Sequence, residues 1–391
     1  MSDSNRTQLY YGIESVYGVT PAVAFQEMRF TGEGLNKNIE NILSNEIRSD
    51  RQVTDLIQVD ADVTGSINFE LSYGAFDDFL VAALYSAGWS TTVAVSATDI
   101  SAANADNSFN TVAEDFTTEN IAVGQWIEVR GFSTNPTNNG YFKVVSVAAT
   151  KLVVSGGDAL IDETAGDTIT MAGSMIRNGV TETSFTLEKE FSDKAQFFLY
   201  NGMIVGTMGL NFNVKEILAG TMGFEGKSLT VAQTTASTGA PSAAASNQIM
   251  NSVSHFKRLR EGGSEINTAA SYFVSDVGVN LSNALRPQKA LGVLGSTEIG
   301  AGRATIEGTL KGYFEDETFV NKFLNGTETS LDWYVEDNAG NAYYITLPRI
   351  KLATLAVNAQ GIDQDVLLDG TYQALRDPTT DCMIQIDKFA A

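Results

Sequence analysis

The stretch GTMGFEGKSL, residues 220 to 229, ends in Gly226-Lys227-Ser228, the residues that close a phosphate-binding loop. In such a loop backbone amides cradle the phosphates, the lysine reaches them and the hydroxyl holds magnesium. The motif requires a glycine five positions before Gly226, but Thr221 stands there and Gly220 falls one place too early. Each glycine supplies one backbone conformation, so a shift of one position removes the cradle. DADVTGS, starting at Asp60, opens like a calcium loop, yet its twelfth position is Leu71 where a bidentate Glu is needed. His255, the one histidine, lies in SVSHFKRLREGG beside basic residues. No G-x-S-x-G marks a nucleophile for it, and it reads as a surface or interface residue. Cys382, the one cysteine, excludes an internal disulfide and a four-cysteine zinc site, and reads as a small buried hydrophobe. No residue is assigned a catalytic, cofactor or metal role, and the chain reads as a non-enzyme.

The elements that would position any site are mostly strands. Val63, Ile67, Phe69 and Leu71 alternate with Asp62, Thr64, Ser66, Asn68 and Glu70, a period of two with one apolar face. Ile204, Met208, Leu210 and Phe212 repeat the pattern. The helical exception is YGAFDDFLVAALYSAG, where Phe76, Phe79, Leu80, Ala83 and Leu84 share a face and Asp77 and Asp78 occupy the first turn. Gly88 is expected to close that helix as its C-cap. Asp337 to Asn341 supply hairpin-turn residues. Phe79 to Thr98 carry no charge but hold Gly88 and many hydroxyls, too polar for a lipid span. The polar start MSDSNRTQLYYG has no apolar signal region, so synthesis in a cytoplasm without membrane contact is expected. The 391 residues are 43% apolar, enough for two or three globular domains, and the net charge is −22. That charge opposes gripping nucleic acid, whose affinity comes from Lys and Arg on phosphates. It does not oppose handling nucleic acid without holding it.

An internal repeat organises the chain. Gly34-Leu35-Asn36 matches Gly278-Val279-Asn280, and Gly65 matches Gly308 at an offset of 243, with Val63 and Ile67 falling on Ile306 and Leu310. Both strands then run into an aromatic-rich helix, Phe76 to Leu84 against Phe314 to Leu324. Downstream, TSFTLEKEFSDKAQFFLYNGMI lies over TSLDWYVEDNAGNAYYITLPRI at an offset of 146, pairing Phe185 with Leu331 and Ile204 with Ile350. A slip of one then pairs Leu210 with Leu355, as a β-bulge would produce. The counterpart of GTMGFEGKSL is LLDGTYQALR, strand-like and without Gly-Lys-Ser, so both copies read as strand ends. The change of offset locates an insertion. The predicted domains are 1–90 with 179–230, a β-rich acidic insert at 91–178 read as a small barrel or sandwich, a flexible linker at 231–247, and a second copy at 248–391.

NEIRSDRQVTDLIQVDADVTGSINFELSYGAFDDFLVAALYS resembles the tail tube (major tail) proteins of long-tailed, siphovirus-type bacteriophages. The shared pattern is an extended hairpin with E-x-R-S-D-R, a V-x-G-x-I-x-F-E-L strand and an F-D-D-F-L helix. SFTLEKEF, FFLYNGMIVGTMGLNFNV and GFEG look like the family's later strands. The second copy lacks the Arg-Ser-Asp-Arg stretch and enters only through the repeat. The resemblance implies a mainly β fold of two tail-tube-type β-sandwich domains, each with a flanking helix. It also implies rings that stack into a tube for the genome in the virion tail. Family rings present six tube domains, so a duplicated chain would need three copies in a pseudo-sixfold ring. Implied partners are the chain itself, the tape measure and tail terminator proteins, and DNA in transit without specific binding.

Two sets of residues follow as expectations. An acidic lumen would repel the duplex, and the polar strand faces offer Asp62, Ser66, Asn68 and Glu70 with Glu307 and Thr309, Lys311 being an exception on that face. The extended segment from Asn36 to Asp62 is long enough to bridge to a neighbouring ring through Glu46, Arg48, Asp50, Arg51 and Asp55, or else forms a solvated hairpin tip. The insert is expected on the tube exterior. The alternative assembly role is a capsid decoration or adhesin-like virion protein, which would not polymerise alone.

Overall fold

The structure, a computed structural model, describes residues 3–268, 272–359 and 361–391. It is mainly antiparallel β, with two α-helices among the described residues. In the N-terminal half, β1 (Thr7–Ile13), β2 (Gln26–Met28), β3 (Gly32–Glu33), β4 (Asn36–Leu43) and β5 (Leu56–Glu70) precede helix α1 (Asp77–Ala83). Then come β6 (Val93–Ala97), β7 (Ser101–Ala103), β8 (Ser108–Asn110), β9 (Trp126–Arg130), β10 (Gly140–Ala148), β11 (Lys151–Ser155) and β12 (Ile169–Arg177). The half closes with β13 (Ser184–Phe191), β14 (Gln196–Asn213), β15 (Ala219–Gly226) and β16 (Ser228–Ala232). The C-terminal half runs through β17 (Phe256–Glu261), β18 (Ser264–Ile266), β19 (Val274–Ser282), β20 (Arg286–Lys289), β21 (Ser296–Gly300) and β22 (Thr305–Tyr313) to helix α2 (Thr318–Leu324). It ends with β23 (Thr329–Glu336), β24 (Ala342–Ala359), β25 (Val366–Ala374) and β26 (Gln385–Phe389).

Pairing follows β2–β1–β13–β14–β15–β5–β4 in the first half and β18–β17–β23–β24–β25–β22–β19 in the second. The two paths have the same order. Gly65 and Gly308 are required by close backbone approach: a Cβ would meet Leu35 Cα at 2.5 Å in one case and Gly278 O at 1.9 Å in the other. Both long strands bulge, between Val205 and Thr207 and between Leu352 and Thr354. Against β13 and β23, matching shifts fall between Phe185 and Leu187 and between Thr329 and Leu331. These shifts put Leu187, not Phe185, at the place of Leu331, and Met203, not Ile204, at the place of Ile350. Residue type misleads here because β13 and the middle of β14 are buried on both faces, so hydrophobicity does not fix the register.

The first helix ends sooner than expected. Tyr85, not Gly88, takes the left-handed conformation (φ 50°), with Ser86 N–H donating to Val81 O at 3.0 Å and Tyr85 N–H to Ala82 O at 3.1 Å. Helix α2 ends in the same motif around Gly326 (φ 59°), with Thr327 N–H on Lys322 O and Gly326 N–H on Phe323 O. A buried ring holds Tyr85 there, packed with Ile204 and Ile299. Phe79 of α1 fills the core, 4.6 Å from the Tyr11 ring and 4.7 Å from Phe185.

Residues 231–247 do not hang free. Thr238 and Ser242 donate to Val23 O and Phe25 O, Glu27 N–H donates to Ser242 O, and Arg29 donates to Asn247 O at 2.7 Å. Their small side chains let the segment lie flat along the open edge of β2. His255 is buried, not at the surface, and its Nδ1 accepts from Asn251 N–H at 3.0 Å, closing the turn before β17. The insert strands pair in the order β6–β12–β9–β10–β11–β8–β7 around Phe109, Phe116, Ile127 and Phe142. The insert docks on the C-terminal half. Ser174 to Arg177 pair with Gln385 to Lys388, and Trp126 stacks on Tyr344 at 3.8 Å. No helix is long and apolar enough to cross a membrane among the described residues.

Candidate channel face and assembly edges

Pairing brings the two sets of face residues onto one sheet surface. Asn68 lies opposite Thr221, Thr221 opposite Gly209, Gly209 opposite Asn280, and Asn280 opposite Glu307. This row crosses both halves, because β19 pairs with the second part of β14. Inward-facing Ile67, Met222, Leu210 and Val279 back the same strands. The outward face is built of Asn, Thr, Ser and Gly with scattered carboxylates. Thr221 Oγ1 donates to Asn68 Oδ1 at 2.8 Å, and Thr309 Oγ1 donates to Asp276 Oδ1 at 2.7 Å. Ser66 and Glu70 share this face with Asn68. Asp62 does too, but Lys289 of β20 pairs with Asp62 and reaches Asp60 at 2.9 Å, pulling the Asp60 carboxyl below its usual range. Lys311 is offset by Asp369 at 3.7 Å. Among the described residues, no three His, Cys, Asp or Glu side chains group as metal ligands. Gly226-Lys227-Ser228 joins β15 to β16, and the Lys227 ammonium lies over the Tyr17 ring.

The hairpin residues lie together at the tip between β4 and β5. Arg48 Nη2 meets Asp50 Oδ2 at 2.6 Å, and the hydrogen bond from Arg48 lowers the Asp50 carboxyl. Thr54 Oγ1 donates to Glu46 Oε2 at 2.7 Å, Asp55 Oδ1 accepts from Leu56 N–H, and Arg51 takes φ 59° at the turn. Sequence reasoning did not single out the arm's apolar side chains. Ile39, Ile42, Leu43, Ile47, Val53, Leu56, Ile57 and Val59 are all exposed. Their signal was present, since apolar residues occupy both alternating faces of these strands.

Two sheet edges also lack a partner strand among the described residues. The second part of β14 has β15 on one side and β19 on the other, whereas the matching part of β24 pairs with β25 alone among those residues. In the same way β19 lies between β22 and β14, whereas β3 and β4 pair only with β5, among the described residues. An exposed edge is a template for another strand.

A mainly antiparallel β-protein with a polar sheet face and open strand edges can extend its sheet by pairing with further strands. The family model for phage tail tube protein matches residues 4–374, and the chain belongs to that family. It is therefore a structural protein of the virion tail that assembles with itself into a tube. No curated protein sequence matches the chain.

Proposed function

We propose that the chain carries one tube-forming unit twice, in 1–90 with 179–230 and in 248–391, and that three chains close head to tail into a pseudo-sixfold ring. The observation that carries this reading is the joint between the two halves. There β19 adds to the edge of β14, with Thr207 opposite Ser282, Leu210 opposite Val279 and Asn211 opposite Gly278. Matching bulges carry Thr207 to Thr354 and Asn211 to Asn358, while the β4–β5 and β19–β22 registers carry Gly278 to Gly34 and Asn280 to Asn36. Residue type is kept at all four. The free edges at the two ends of the chain therefore pair between chains, Thr354 opposite Asn38, Ala356 opposite Asn36 and Asn358 opposite Gly34. A head-to-tail contact of this kind closes into a ring when its rotation permits.

Stacked rings form the tube of a siphovirus-type tail. The common face lines the channel with Asp62, Ser66, Asn68, Glu70, Glu307 and Thr309, a polar, net negative wall that repels passing duplex DNA on its way to the host. The arm bearing Glu46, Arg48, Asp50, Arg51 and Asp55 contacts the adjacent ring, and its apolar flanks from Ile42 to Ile57 are covered there. The insert lies on the exterior, and tape measure and terminator proteins meet the assembly inside and at its end. The test combines native mass with end-on electron micrographs averaged without imposed symmetry. Three chains in a six-lobed, threefold ring are expected, and a ring of six chains would overturn the reading. In the variant N36C/A356C, oxidation should give a covalent ladder that stops at three.

A further inference from the structure

We propose that Ile39 of one chain and Leu324 of its neighbour form an apolar lock at the joint between chains. The inference rests on the ring reading above and adds what makes the two kinds of joint non-interchangeable. Inside the chain, the joint is held by a buried amide. Asn283, 4% exposed, donates its backbone N–H to Gly206 O at 2.8 Å, and its Nδ2 donates to Ala83 O and Val205 O, both at 3.0 Å. Asn283 is the first residue after the last paired position, Ser282. Ser282 corresponds to Asn38, so Asn283 corresponds to Ile39. The helices close in the same motif, around Tyr85 and Gly326, so Ala83 corresponds to Leu324; the bulges make Val205 correspond to Leu352.

Ile39 is 43% exposed and Leu324 is 71% exposed, and neither joins a hydrophobic cluster among the described residues. Carried across with the strand register, they meet. The polar contact of the inner joint becomes an aliphatic contact between chains. The two joints also reject each other's partners. Asn283 placed over Leu324 would press its amide against a leucine side chain where Ala83 leaves room, and Ile39 placed over Ala83 would leave two carbonyls unpaired. Such unpaired polar groups are a strong source of discrimination. First units therefore meet only second units, which is what a closed ring of three requires.

Exposed positions should tolerate charge in the monomer, so Leu324→Asp and Ile39→Asp should leave the melting temperature unchanged. Each should raise the concentration needed for assembly by about tenfold or more, whereas Leu291→Asp, on an exposed tip outside the joint, should not. Ile39→Asn alone should also block assembly, and Ile39→Asn with Leu324→Ala, which copies the inner joint, should restore it. Assembly of Leu324→Asp at the wild-type concentration, or a double variant no better than Ile39→Asn, overturns the lock. The N36C/A356C cross-link, run in parallel, separates the two failures. If that cross-link forms the lock alone is wrong, and if it does not the ring reading falls with it.

Discussion

A Cβ added to Gly308 would collide with Gly278 O and with the Tyr372 hydroxyl. Gly308→Ala must therefore push β22 from β19, and overpacking of this kind costs about 1–3 kcal/mol. The denaturant midpoint should fall accordingly, while Gly32→Ala, whose new methyl would find its nearest neighbour at 3.5 Å, should change little. Asp387 offers a second test at the same scale. Its burial beneath the insert pushes the carboxyl from 3.8 up to about 7, although hydrogen bonds from Gln385 and the Trp126 N–H favour the ionised form. The folded state then binds this proton more tightly than the unfolded chain does. Its contribution is full below about pH 4 and is lost as pH rises through 7, with a slope of at most about 1.4 kcal/mol per pH unit. Stability measured between pH 5 and pH 8 should decline in the wild type, and Asp387→Asn should flatten that dependence.

Elements separate what a sequence can carry from what it cannot. The alternation at Val63 to Leu71 and the glycines at 34, 65, 278 and 308 were legible because each reflects a local rule, a period of two or a close approach of backbones. The end of α1 was not legible, because Tyr85 adopts a left-handed conformation that only its buried packing sustains. Register in β13 and β14 was not legible either, since strands buried on both faces lose the polar side that marks a slip. The candidate face residues were readable as the polar side of β5 and β22, but the β14–β19 pairing that merges them joins residues far apart in sequence. Docking of the insert is a further tertiary fact. Arg260 makes a bidentate contact with Asp332 at 2.7 and 3.0 Å, reaches Gly156 O, and lies over the Trp126 ring. Removing the arginine leaves a buried carboxylate uncompensated, a loss of about 3–5 kcal/mol. Arg260→Ala should thus loosen the insert, and hydrogen exchange at the Trp126 and Gln385 to Lys388 amides should quicken before exchange in β5 and β22. Uniform quickening everywhere would mean that the insert and body unfold as one unit.

At the scale of the whole molecule the net charge of −22 sets how assembly responds to salt. Joints made of backbone hydrogen bonds and aliphatic side chains are nearly indifferent to ionic strength, whereas the mutual repulsion of acidic chains is screened over about 10 Å at 0.1 M salt. Joints made of exposed ion pairs would weaken as salt rises. The two pictures therefore differ in sign. With strand edges and the Ile39–Leu324 contact in control, raising sodium chloride from about 0.02 M to about 0.5 M should lower the concentration at which rings and tubes form, as light scattering and sedimentation would show. Wild-type tubes that dissolve as salt rises would instead give control to the charged arm, with Glu46, Arg48, Asp50, Arg51 and Asp55 as the contacts to vary. The same screening should act on the channel. If the polar face shared by β5 and β22 lines the channel, it offers duplex DNA few cations to bind, and DNA added to open tubes should stay unbound at low salt, where any attraction would be strongest.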